Sequence, residues 1–348
     1  MLRATLVVVA VTMLLLVIVY GSLRSGLLSA SLDRLITYAA QEEGVFFVRA
    51  EGVSGAPPEH LIVRKLEIGD YYGVWLTIED AEARWKPFDL FHPFDVVKLR
   101  VNVDDLTARR VVWTRLPEDG PDEADDPPFR WDRFIRILIG HIRVDELELT
   151  GSLLDGHTAR VSAEGSGILG EWERGFVKLD IAHVDDTRGT ARIDLATGGS
   201  PLGLSGTITA DEGPGGILAA LARRPEAGAV MLDVSASGPM RDWNAKAHLD
   251  ASRIGALDVD VKLAFTADGP FELTGSFDPV AEERERWLVG EGAAMSLYAK
   301  GAWAPDVQLR LDSVRLVADG RELAAGGRLD LATLAFDAKA RLAHQRDG

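Results

Sequence analysis

Along most of this chain apolar and polar residues alternate one for one. Val97, Leu99, Val101 and Val103 are separated by Lys98, Arg100 and Asn102. Val177, Leu179 and Ile181 alternate with Lys178, Asp180 and Ala182, and Ala191, Ile193 and Leu195 with Arg192 and Asp194. The same beat returns in Leu257, Val259, Val261, Leu263 and Phe265, and again in Val307, Leu309 and Leu311. Successive side chains of a strand point to opposite faces, so each segment has one aliphatic and one charged face. The pattern predicts half-buried antiparallel strands, about fourteen of them, stacked into one elongated sheet over residues 44–348. No compositional shift marks a second globular domain.

The amino-terminal region departs from this period. Twenty uncharged residues lie between Arg3 and Arg24. As a helix rising about 1.5 Å per residue they cover about 30 Å, the hydrocarbon thickness of a bilayer. A cleavable signal peptide is the competing reading. Its apolar core normally spans about 7–15 residues, and the best small-residue cleavage site here, Leu28-Ser29-Ala30, lies well past the run. Residues 1–26 therefore read as an uncleaved, single-pass anchor. Leu27, Leu28, Leu32, Leu35 and Ile36 then recur at helical spacing, which predicts an amphipathic juxtamembrane helix over 27–43. That helix fits either a cap on the first strands or an interfacial element. Short helices are expected over 215–225, where Pro225 ends the pattern, and over 281–288.

Composition narrows the class. Hydrophobic residues make up 47% of the chain, enough to bury a large surface, and 35 glycines suit many short turns. The net charge of −16, with no Lys/Arg cluster to offset it, excludes a nucleic-acid partner. There is no cysteine, which suits an oxidising compartment. Tandem alternating strands also occur in outer-membrane barrels, but there the outward face is a continuous apolar belt. Here one face is rich in charge.

A catalytic set is not found. His60, His92, His141, His157, His183, His248 and His344 are scattered, with no pair at the spacings of zinc motifs, and read as surface or strand residues. Gly165-Ser166-Gly167-Ile168-Leu169-Gly170 fits the dinucleotide-binding spacing, but Glu171-Trp172-Glu173-Arg174-Gly175 follows it instead of a helix, so it reads as a Gly-rich turn. The paired acids Asp104-Asp105 and Asp185-Asp186 read as strand ends. The acidic, Pro-rich stretch 117–128 lacks the alternating ligands of a calcium loop and reads as solvated linker. No catalytic residue, cofactor or metal is expected, and the chain reads as a non-enzyme.

Four blocks resemble one family. Ile68-Gly69-Asp70-Tyr71-Tyr72-Gly73-Val74-Trp75-Leu76 leads into a segment ending Trp85-Lys86-Pro87. A strand pair, 97–105 and 106–117, ends in Arg115-Leu116-Pro117 before the acidic loop. Ser237-Gly238-Pro239-Met240-Arg241-Asp242-Trp243 follows the helix at 215–224. With the anchor, these resemble the amino-terminal region of the translocation and assembly module subunit TamB family, within the AsmA-like, bridge-like lipid transfer superfamily. The resemblance covers residues 1 to about 250 and rests on structural residues. It implies an inner-membrane-anchored periplasmic rod whose sheet curls into an open groove. It further implies phospholipid transport between inner and outer membrane, and support of outer-membrane protein assembly and secretion with a TamA-like partner. Family members are much longer and contact that partner through a carboxy-terminal region, so this sequence reads as an amino-terminal fragment.

The residues suit such a task. Hydrating one acyl chain of about sixteen carbons costs on the order of 13 kcal/mol at about 0.8 kcal/mol per methylene. A continuous aliphatic track lowers that barrier without covalent chemistry. The groove candidates are Val97, Leu99, Val101, Val103, Val177, Leu179, Ile181, Ile193, Leu195, Val259, Val261, Leu263, Leu309 and Leu311. Two alternatives stay open. The aliphatic faces could close into a dry core, or the chain could be a scaffold that assists outer-membrane β-proteins by strand addition.

Overall fold

The computed structural model describes residues 46–56, 59–86, 99–117, 135–169, 174–266, 269–287, 294–304, 308–330 and 336–344. The proposed anchor 1–26, the juxtamembrane segment 27–43, Val97 and nearly all of the acidic loop lie outside them. Among the described residues no helix is long and apolar enough to cross a membrane. The fold is mainly β, with 72% of those residues in strands.

The chain divides into two units, Met1–Glu171 and Trp172–Gly348. The first contains β1 (Phe46–Ala56), β2 (His60–Asp70), β3 (Gly73–Trp85), β4 (Leu99–Trp113), β5 (Ile135–Leu149) and β6 (Ala159–Leu169). Each pairs with the next, and all of these pairs are antiparallel except β4 with β5, which run parallel. That exception corrects the all-antiparallel expectation. A parallel partner requires a crossover connection, which a pattern of alternating residues does not announce.

The first unit also breaks the simple alternation. Apolar positions advance by three residues, not two, at one level of neighbouring strands: Ala50 to Val53, Val63 to Leu66, Ile78 to Ala81, Ala108 to Val111 and Val144 to Leu147. Gly52 (φ 70°) and Asp80 (φ 50°) lie within two of these steps in the left-handed region, which Gly and Asp tolerate best. From β1 to β4 the facing strands skip one residue together, so the register is kept and the next apolar side chain returns to the same face, whereas Val144 to Leu147 is a bulge against β6. A second such step, Val103 to Leu106, carries the chain through Asp104-Asp105, so the expected strand pair over 97–117 is one continuous strand, β4. Those two acids are therefore mid-strand, not at an end. Gly165 to Leu169 lie in β6, where a turn was expected, and Gly165 and Gly167 face Ile142 and Ile139 on β5.

The second unit is a meander. It runs through β7 (Phe176–His183), β8 (Gly189–Gly198), β9 (Gly203–Glu212), β10 (Val230–Ser237), β11 (Trp243–Ala251), β12 (Gly255–Leu263), β13 (Pro270–Pro279), β14 (Met295–Ala304), β15 (Gln308–Ala318), β16 (Arg321–Asp330) and β17 (Phe336–His344). Every consecutive pair is antiparallel. Two short helices match the expected positions, α1 (Ile217–Leu221), followed by a 3-10 turn at Pro225–Ala227, and α2 (Ala281–Trp287). Ala219 and Ala227 pack on Val230 and Ala251, so α1 and its turn cover one end of the apolar face with small side chains.

Candidate functional site

In an antiparallel pair, residues directly opposite share a face. In the second unit this carries one aliphatic row from strand to strand: Leu179, Ile193, Ile208, Val234, Ala247, Val259, Gly275, Leu297, Leu316 and Leu323. On one side of it runs Ile181, Ala191, Ala210, Leu232, Leu249, Leu257, Phe277 and Met295. On the other runs Val177, Leu195, Gly206, Ala236, Ala245, Val261, Leu273, Ala299 and Val314. With strands about 4.8 Å apart, the longest of these rows, from β7 to β16, spans nine strand spacings, about 43 Å. Nine of the candidate residues, Val177, Leu179, Ile181, Ile193, Leu195, Val259, Val261, Leu263 and Leu311, fall on this face, and Leu309 pairs in register with Trp303.

A break in β15 shows why the face stays continuous. Strict alternation from Leu309 and Leu311 would put Ser313 next, whereas the register shift between Leu311 and Val314 places Val314 opposite Ala299 and Ala325. Trp243 and Phe271, which alternation did not single out, widen the face beside Leu263, and Trp243 meets Phe265 edge-on at 5.3 Å.

The first unit has a comparable face. Leu99, Val101 and Val103 pair with Ile135, Ile137 and Ile139 on β5, and further along Ala50, Leu66, Ile78, Val111, Leu147 and Val161 form one row. Val101 and Val103 are thus grouped with β5 isoleucines that alternation had not marked. The signal for those was a run of Ile135, Ile137 and Ile139 in period two.

Exposure distinguishes an open face from a closed core. Leu179, Ile193, Ile208, Val234, Val259, Leu297 and Leu316 are all half-buried, and Leu323 is exposed at 39%. On these rows full burial is reached by Ala210, Ala299 and Met295, the first two small and the third at the end of its row. A sandwich core would take the large aliphatics to near-zero exposure and leave the small ones no special place.

The opposite face is ionic. Arg192 donates to Asp180 at 2.6 Å, His248 lies 2.7 Å from Asp258, and Lys178 and Lys246 are each 3.4 Å from Asp194 and Asp260. Such exposed pairs add little stability but keep the face hydrated. In the first unit His141 sits opposite Asp105, with Nδ1 2.7 Å from Asp105 Oδ1 and Nε2 3.2 Å from Glu164 Oε1. The hydrogen bond to Asp105, and next that to Glu164, hold its pKa above the ordinary 6.5. A raised folded-state pKa gives stability that is complete below the unfolded value and lost as pH rises through the folded one. An NMR titration of the His141 ring is expected to show a midpoint above 6.5. A midpoint at or below that value would show the two carboxylates to be ineffective.

One buried polar cluster was not legible in the sequence. His183 is 3% exposed in its side chain, with Nδ1 3.1 Å from Asp185 Oδ1 and Nε2 3.2 Å from Glu212 Oε1. The other Glu212 oxygen accepts the backbone N–H of Leu218 at 2.7 Å, which ties α1 to the ends of β7 and β9. The two carboxylates occupy opposite edges of the ring and do not converge on one point. Among the described residues no group of three His, Cys, Asp or Glu side chains is placed to hold a metal ion. Compared with protein-family models, curated proteins and solved structures, the chain matches none of them.

Proposed function

We propose that this chain carries phospholipid on the apolar faces of its two units, as an inner-membrane-anchored periplasmic subunit of an outer-membrane biogenesis system. The carrying observation is that large aliphatic side chains line unbroken cross-strand rows and stay half-buried. Acyl chains laid on such rows exchange water for methylene contact at both partners. The ionic reverse face keeps the strands of each unit wet on that side. The anchor comes from the uncharged run between Arg3 and Arg24. The resemblance of residues 68–117 and 237–243 to TamB-like proteins supports the wider role in outer-membrane assembly with a TamA-like partner.

Photo-crosslinking in cells tests the reading. A photoreactive residue at Val101 and, separately, at Leu179 is expected to capture phospholipid, identified by mass analysis. Absence of lipid adducts at both positions, with the chain folded, would mean closed faces and favour the scaffold acting through strand addition.

A further inference from the structure

We infer that the β2–β3 turn is a second membrane contact, inserting Tyr71 and Tyr72 into the headgroup layer of the same phospholipid bilayer that holds the anchor; this rests on the anchoring part of the proposed function. Among the described residues, four of the eleven exposed large hydrophobic side chains gather here: Tyr71 at 62%, Tyr72 at 55%, Val74 and Leu116. Exposed apolar side chains grouped about one turn mark an interaction surface, whereas apolar residues scattered singly do not. Its makeup favours a bilayer interface. Tyr pairs an apolar ring with a polar tip and concentrates at headgroup depth.

The turn is held rigidly for display. Asp70 is buried, its Oδ1 accepts the Tyr72 N–H at 2.9 Å, and its Oδ2 accepts Arg115 Nη1 at 2.6 Å. Arg115 Nη2 also donates to Gly73 O at 2.9 Å, so one guanidinium clamps both sides of the turn. The two rings meet edge-on, 5.2 Å apart, and turn outward. Position completes the case. Phe46, the first residue of β1, pairs with Asp70, so the chain arriving from the anchor joins the sheet beside this turn.

The chain lacks cysteine, so single thiols report on single sites. The full chain is reconstituted into phosphatidylethanolamine–phosphatidylglycerol vesicles. A fluorophore is attached to Tyr72→Cys or Tyr71→Cys, each leaving the other tyrosine, or to Ser54→Cys. Ser54 is exposed on β1, about 25 Å further along the strand than Phe46. A lipid carrying a spin label in its headgroup is expected to quench both turn labels several-fold more than the Ser54 label. Equal quenching at all three sites, or none at the turn while the protein floats with the vesicles, would overturn the inference and leave lipid capture at Leu179 untouched. Failure to float with the vesicles would remove the anchor itself and this inference with it.

Discussion

Arg115→Ala is expected to loosen the first unit by about 3–5 kcal/mol, the usual cost of leaving one member of a buried ion pair without its partner. The Asp70 side chain is 4% exposed and its two oxygens both accept from Arg115. Without that cation the carboxylate must take a proton or open the turn. Peptide-resolved hydrogen exchange is the right measurement because stability differs between regions of one chain. Amides of β2, β3 and the end of β4 are expected to exchange about a hundredfold faster or more, while β7 to β13 keep their protection. Arg115→Lys should fall between, since an ammonium cannot reproduce the two-pronged contact. Unchanged protection in β2 and β3 would mean that the pair contributes little.

The second large effect concerns the apolar rows. Val261 sits opposite Ala245 and Leu273 at the centre of the second unit's face. Val261→Asp puts an unpaired carboxylate where an acyl chain would lie, a cost of several kcal/mol when lipid is bound. At 1.4 kcal/mol per factor of ten, bound phospholipid per mole of protein is expected to drop at least about tenfold. The empty protein should stay folded by circular dichroism, because Val261 is only half-buried and the carboxylate then faces water. Undiminished lipid would sink Val261 as part of the track. Loss of the β signal would instead point to a closed core.

How much of this was legible in the sequence varied with the physics. The β7–β8 and β11–β13 rows followed from alternation because their registers are regular, so Val177, Leu179, Ile193, Val259 and Val261 land together as expected. The three-residue steps through Gly52, Asp80 and Asp104-Asp105 were not legible, since they break the period of two and make sense only against the matching step of a neighbouring strand. Strand direction is equally silent in a hydrophobic pattern, which hid the parallel β4–β5 pair. His183 and Glu212 lie 29 residues apart in sequence and meet only through the register of β7, β8 and β9. The tyrosine turn carried its local signal, Asp70 before Gly73, but its clamp comes from Arg115, 45 residues away.

The parallel pair has a kinetic consequence. Leu99 pairs with Ile135 and Trp113 with Leu149, so every rung between β4 and β5 joins residues 36 apart (135 − 99 and 149 − 113). Most hairpins of the second unit close over short turns, β9–β10 and β13–β14 over longer connections that contain α1 and α2, and the unit builds up one neighbour at a time. Loop-closure entropy has to be met before a distant rung gives anything back, so β4–β5 docking is the slow step of the first unit. Until β5 is synthesised, β4 waits as a fifteen-residue strand with an unfilled side, open to mispairing with another chain. Asp104, Asp105, Arg109 and Arg110 along it are the kind of charges that discourage such mispairing, and their removal would be felt in the yield of folded protein before it was felt in the stability of the finished sheet.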